Sequence, residues 1–325
     1  MLWGGLSLLV LGLFLASLLT GPAGLSVAQE IPALFGQRDA VVGMVMREIR
    51  LPRAILGVVL GASLGLSGAA IQGFLRNPLA EPGLIGTSAS AALGAVLAIQ
   101  TGFAAALPLG LPLASLAGAT VSVLLILLLA GSRGGALPLI LAGIAISALA
   151  GAMTALVLNL SPNPFAASEI IFWMMGSLAD RSMLHVWTVL PFFVLGAALL
   201  LTTGRGLDLL TLGEDAASSM GVRMGRLRLA LILGVAALVG AATAVAGAVG
   251  FVGLVVPHLL RRAVGASPSR LLPASALGGA AMVLAADIAV RLIAPGRDLK
   301  LGVLTALVGA PFFLHLIWRT RGEGA

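Results

Sequence analysis

The chain of 325 residues contains no cysteine, one lysine and three histidines, and only 10% of its residues are charged. Without cysteine there is no disulfide framework, no thiolate metal site and no cysteine nucleophile. The single lysine, Lys300 in "DLKLG", excludes a phosphate-binding loop of the G-x-x-x-x-G-K-[ST] type, so the chain is not expected to hydrolyse ATP itself. His185, His258 and His315 lie far apart with no ligand spacing around them, so satisfied or interfacial histidines are expected and a metal site is not.

What the sequence does contain is apolar: 59% hydrophobic residues and a mean hydropathy of +1.12, far outside the range of a soluble domain. The long runs show no period-2 alternation, so the spans are helices rather than barrel strands. Between two such runs, Ala54–Leu75 and Pro82–Ser132, stands "RNPLAEPGLIG", Arg76 to Gly86. Polar backbone in lipid must be satisfied within its own segment, so this stretch reads as a structural turn at an interface or inside protein. Its residues are Arg76, Asn77, Pro78, Glu81 and Pro82; the prolines stop helix propagation and Asn77 can bond backbone locally.

Charge-poor segments fall at 3–20, 54–74, 85–105, 112–131, 136–159, 186–203, 229–260, 272–291 and 302–318. The first, after "MLWGG", lacks the basic start of a secretory signal, so it is expected as a membrane helix although "SVAQ" at Ser26–Gln29 has the look of a cleavage site. The run 229–260 is long for one span, and Gly247, Gly250, Gly253 and Pro257 weaken a continuous helix. Dividing it gives ten spans with both termini inside and eleven basic residues inside against eight outside; leaving it whole gives nine against ten. Ten is therefore expected, with one half of the run short and buried in protein. The net charge of +7 reads as topology, and arginines scattered over loops do not indicate a nucleic-acid partner. Gly57, Gly61 and Gly65, and again Gly143, Ser147 and Gly151, are spaced for close helix packing. The expectation is one all-α, polytopic membrane domain over residues 1–325, with no soluble domain or repeat.

Of 12 carboxylates only Asp287 falls inside an expected span, with Arg291 four residues on, and a local ion pair is the reading. That scarcity disfavours a proton-coupled transporter, and no H-E-x-x-H or G-x-S-x-G string supports an intramembrane enzyme. Active transport then needs a separate ATPase chain and a place for it to dock. The longest polar stretch expected in the cytoplasm runs over 204–228, and inside it "DAASSMG", Asp215 to Gly221, resembles the E-A-A-x-x-x-G loop of importers of the ATP-binding-cassette (ABC) class. The residues themselves predict a short helix, with Glu214 and Asp215 at its N-terminus and a left-handed C-cap at Gly221.

The stretches beginning "REIRLPRAILGVVLGASLG" and "GAVGFVGLVVPHLLRRAVG", with "LLPASALGGAAMVLAADIAVRL" and "LGVLTALVGAPFFLHLIWR", resemble the permease family of ABC importers for iron–siderophore complexes, haem and vitamin B12, over about residues 40–320. The resemblance implies a vitamin B12-importer-like permease fold in the bacterial inner membrane. It also implies a homodimer, two ATPase subunits that carry ATP and magnesium, and an external substrate-binding protein; this chain binds no cofactor. By the same resemblance Glu214, Asp215, Ala216, Ala217 and Gly221 couple to the ATPase. Arg50, Arg53 and Arg291 pair with acidic residues of the binding protein, and the pathway and inner gate run along Leu137–Asn159 from Ala136, although "SRGGAL" departs from the small hydroxyl residues of some relatives. "FWMMGSLADRSM", Phe172 to Met183, leans toward the iron-complex members; vitamin B12 remains the alternative substrate and a stand-alone secondary transporter or channel the alternative class.

Overall fold

The structure is a computed structural model that describes residues 2–21, 32, 40–130, 136–294 and 299–322. The cleavage-like Ser26–Gln29, Arg133 of "SRGGAL" and Arg297 lie outside the described residues. The described chain is helical: α1 (Leu2–Leu19), α2 (Leu51–Leu75), α3 (Thr87–Gln100), α4 (Gly110–Ala130), α5 (Ala136–Asn159), α6 (Pro164–Met174) and α7 (Met183–Thr202) come first. They are followed by α8 (Gly204–Leu210), α9 (Glu214–Ser219), α10 (Met224–Ala246), α11 (Val252–Arg261), α12 (Pro268–Ile293) and α13 (Leu301–Gly322). A π-helical turn, Val45–Arg50, leads into α2 without a break. Seven helices are long and apolar enough to cross a membrane, and the shorter apolar helices α3, α6 and the first part of α13 stand beside them, in keeping with the about ten expected.

The run 229–260 divides as anticipated, but unequally. α10 takes 23 residues and α11 only 10, because the break falls at Gly247–Phe251 where Gly247 has φ +74° and Phe251 φ +67°. At 1.5 Å per residue α11 reaches only ~15 Å and α3, with 14 residues, only ~21 Å. Neither crosses ~30 Å of hydrocarbon by itself, so the adjoining irregular backbone must lie within protein. The structure does this before α3, where residues 80–87 after the exposed turn 76–79 are mostly buried, and less fully before α11, where Ala248 is exposed and 249–251 are half-buried.

The centre of the bundle is α2 against α12, α10 and α11. Its closeness follows from the glycines of α2: a β-carbon at Gly61 would collide with the carbonyl of Gly279, one at Gly65 with that of Ser275, and one at Gly68 with that of Gly253. Backbone lies on backbone here, as the small-residue spacing predicts. The second spacing holds only in part. Gly143 receives the carbonyl of Leu84, whereas Gly151 faces open space on a helix whose Leu141, Leu149 and Leu156 are exposed.

Candidate functional site

The polar segment 204–228 folds as expected and more tightly. Gly213 at φ +110° turns the chain into α9, whose first turn carries Glu214 and Asp215, both exposed and placed to complement the helix dipole. At the other end Val222 N–H donates to the Ala217 carbonyl at 3.0 Å and Gly221 N–H to that of Ser218 at 3.0 Å, the paired bonds of a Schellman cap with Gly221 at φ +90°. Ala217 is fully buried in the core cluster that includes Leu207 and Leu210 of α8, while Ala216 is half-buried. The result is a short helix seated by one alanine, with its acidic end held out.

Sequence reasoning missed what anchors this segment. Asp208 of α8 accepts from Ser269 N–H at 2.9 Å and from Ser267 Oγ at 3.2 Å, so its carboxylate caps the N-terminus of α12. Glu214 lies 3.8 Å from the Arg228 guanidinium, a long contact between an exposed acid and a buried base. The serines of "ASPSR" were a cap signal, but nothing local tells which carboxylate meets them.

The turn after α2 is likewise more than a turn. Arg76 takes the left-handed cap position at φ 50°, and Asn77 Oδ1 accepts from Leu79 N–H at 2.9 Å. Pro82 lies buried against the position of Gly253. Glu81 Oε1 accepts from Phe251 N–H at 3.1 Å, so the turn delivers a carboxylate to the start of α11. A second missed residue, Gln72, joins the same elements. Pro257 has no N–H for the Gly253 carbonyl one turn back, and Gln72 Nε2 reaches that carbonyl at 3.4 Å, together with those of Leu254 and Ala80 at 3.3 Å. Gln72 Oε1 accepts from Arg261 Nη2 at 2.8 Å, which leaves no part of this buried amide unused. A glutamine within an apolar run was the signal available.

The outer arginines are brought together by the structure, but around a partner inside the chain. Asp287 pairs with Arg291 at 2.8 Å, as its spacing suggests, and with Arg53, whose Nε and Nη2 both donate to it. Arg291 also donates to the Ser17 and Thr20 carbonyls, at 2.9 and 2.6 Å, and Arg50 to that of Leu18 at 2.9 Å. Two guanidiniums thus satisfy the C-terminal carbonyls of α1, which have no helical partner. Arg50 and Asp287 are buried, and Arg53 keeps the most open side chain of the ion pairs here, at 18%. Ala136 is half-buried, and Leu137 and Asn159 are exposed at opposite ends of α5. Among the described residues no group of three or more His, Asp or Glu could hold a metal ion.

The family model for the FecCD transport family matches residues 8–319. Two of the similar proteins are named for different substrates. The hemin transport system permease protein HmuU of Yersinia pestis is 43% identical over 85% of this chain and 83% of its own. The cobalamin import system permease protein BtuC of Halobacterium salinarum is 38% identical over 90% of this chain and 78% of its own. A solved structure described as an inward-facing conformation of a metal-chelate type ABC transporter superimposes with a TM-score of 0.87 at 35% identity, covering 97% of this chain and 98% of the other.

Proposed function

The chain belongs to the FecCD transport family, multi-pass permease subunits of ABC importers in the inner membrane, and on that premise we propose that it carries an iron chelate, a siderophore complex or haem, into the cell. The family is one of permeases without catalysis of their own, so the energy is proposed to come from two separate ATPase subunits that hold ATP and magnesium. The observation that carries this reading is α9: an exposed acidic helix end, locked by Gly221 and tied through Asp208 to α12. A helix so mounted passes a push from an external partner into the bundle rather than absorbing it. Glu214, Asp215, Ala216, Ala217 and Gly221 are the proposed coupling element of a single permease domain, residues 1–325.

The docking of a substrate-binding protein is proposed at the outer arginines. Arg53 and Arg291 share the single carboxylate of Asp287, and Arg53 is the one that retains an open edge for a second carboxylate. Arg50 and Arg291 then serve chiefly by holding α1 beside it. Substrate is proposed to pass between two copies of the chain along the exposed apolar face of α5, from Leu137 to Asn159.

The preference for an iron chelate over cobalamin rests on the segment Phe172 to Met183, since the relatives include carriers of both haem and cobalamin. Uptake by the chain reconstituted with its ATPase and binding protein, offered ferric siderophores, haem and cobalamin, tests it. Transport of an iron complex is expected; transport of cobalamin alone would overturn the substrate, and transport without any ATPase would overturn the class.

A further inference from the structure

Beside α8, at the ends of α7 and α10, lies a cavity of about 540 Å³ that the end of the proposed coupling element, Met220 and Gly221, borders on one side. α7 and α10 touch at Gly196 and Gly234, where a β-carbon on Gly234 would come within 3.2 Å of the Gly196 carbonyl oxygen. The cavity opens where the two helices part, between Thr202 and Arg226. Leu227 and Ala230 make its apolar wall, and its mouth carries Arg205 from α8, Arg223 from the turn before α10 and Arg226 from the first turn of α10.

All three arginines are exposed, and among the described residues none pairs with a carboxylate. Of the acids on α8 and α9, Glu214 lies toward Arg228 and Asp208 is held by Ser267 and Ser269, which leaves Asp215, exposed on α9, against the three arginines. The start of α10 has no side-chain cap, which adds its partial positive charge to the same mouth. Beyond the arginines the chemistry changes. On α10, Leu229 and Leu233 continue the stripe of Arg226 at helical spacing and are exposed, and Leu195 and Leu201 are exposed on α7. A ligand that fits both parts is anionic at one end and a hydrocarbon along the rest.

We propose that this cavity is a binding site for an anionic phospholipid of the cytoplasmic leaflet, with its phosphate among Arg205, Arg223 and Arg226 and its acyl chains along the apolar flanks of α7 and α10. Arginine at the headgroup level with apolar surface beyond it is the arrangement by which basic segments select anionic lipid. A lipid held here would brace α8 and the start of α10, the two elements between which α9 is slung. The site rests on the cytoplasmic placement of 204–228 proposed above, which impermeant labelling tests separately.

The experiment is a titration of the purified full-length chain in detergent with phosphatidylglycerol and with phosphatidylcholine, read by native mass spectrometry. The wild type, R205Q, R223Q, R226Q, the triple variant and R262Q, an exposed arginine outside the cavity, are compared. Phosphatidylglycerol should be preferred, each cavity substitution should weaken it about fivefold, the triple variant should lose the preference, and R262Q should keep it. The single variants give the graded answer even if the triple variant is unstable. Equal binding of phosphatidylcholine, an unchanged preference in the variants, or displacement of the lipid by inorganic phosphate would each overturn the proposal. In a second arm the ATPase subunit is co-purified with the same variants, and its loss from R205Q, R223Q and R226Q with lipid binding intact would overturn the proposal and assign the arginines to that partner.

Discussion

At the scale of single residues, the polar side chains of this bundle matter because each answers a backbone group that the helices leave open. Gln72 is the clearest case: its amide replaces the N–H that Pro257 lacks and also accepts from Arg261. Gln72→Leu keeps the volume roughly and removes every bond, so it should destabilise the chain by about 1–3 kcal/mol, the cost of leaving buried polar groups unpaired. Thermal unfolding in detergent measures this, and an unchanged midpoint would show that Gln72 holds nothing. Asp287 should be more sensitive. Its loss in Asp287→Ala strands two guanidiniums, for which roughly 3–5 kcal/mol is expected, whereas Arg53→Met leaves the Arg291 pair in place and should cost less. The same residues separate structure from docking. If Arg53 receives the binding protein, Arg53→Glu should weaken docking and its salt dependence by more than the milder Arg53→Met does, and affinity and salt dependence unchanged from the native chain in both variants would remove Arg53 from that surface.

At the scale of elements, α9 is where local signals and structure agree best. The acidic N-terminus and the glycine stop were legible because both follow from the helix's own ends, and the left-handed Gly221 is as expected. Gly221→Val forces a β-branched residue into that conformation at a cost of roughly 1–2 kcal/mol, confined to the loop. Substrate-stimulated ATP hydrolysis by the assembled complex should fall, as it should on charge reversal at Glu214 and Asp215, while insertion into the membrane stays normal. Full coupling in all three variants would show that α9 is not the contact.

Less was legible for α11. Glycines and a proline announced a weak point between 229 and 260, but not that it would fall at 247–251 and leave Pro257 inside the shorter helix. The reason is tertiary: Gln72 and Glu81 are 181 and 170 residues from the groups they satisfy, and no window of sequence contains both partners. For the same reason Arg53 could be read as free to meet another protein when Asp287, 234 residues away, already holds it.

At the scale of the whole molecule, the number of spans was legible from hydropathy and arginine placement, because lipid allows few alternatives to a helix of the right length. Sidedness is open to a direct check, since a chain without cysteine accepts single reporters without background. Cysteines placed beside Arg223 and Arg261 should label with an impermeant thiol reagent from one side, and those beside Arg50 and Arg181 from the other. Labelling near Arg261 from the same side as Arg50 would return the count to nine.

The glycine seam between α2 and α12 carries a mechanical consequence. Where two helices meet through side chains, rotamers can yield and a small displacement is lost; where carbonyl rests on α-carbon, there is nothing soft to compress. α12 is therefore a stiff strut fused along its flank to α2. Asp208 grips it at Ser269 and Arg53 clasps it at Asp287, eighteen residues and ~27 Å farther along. A tilt imposed at either end is expected at the other, and if a partner bound at the outer end changes the affinity at the inner one, the inner partner changes the outer affinity by the same factor. Asp208→Ala, which frees the inner grip, should leave the binding protein able to dock but unable to alter the hold of the ATPase on α9. If docking still changes that hold in the variant as it does in the native chain, the strut is not the connection.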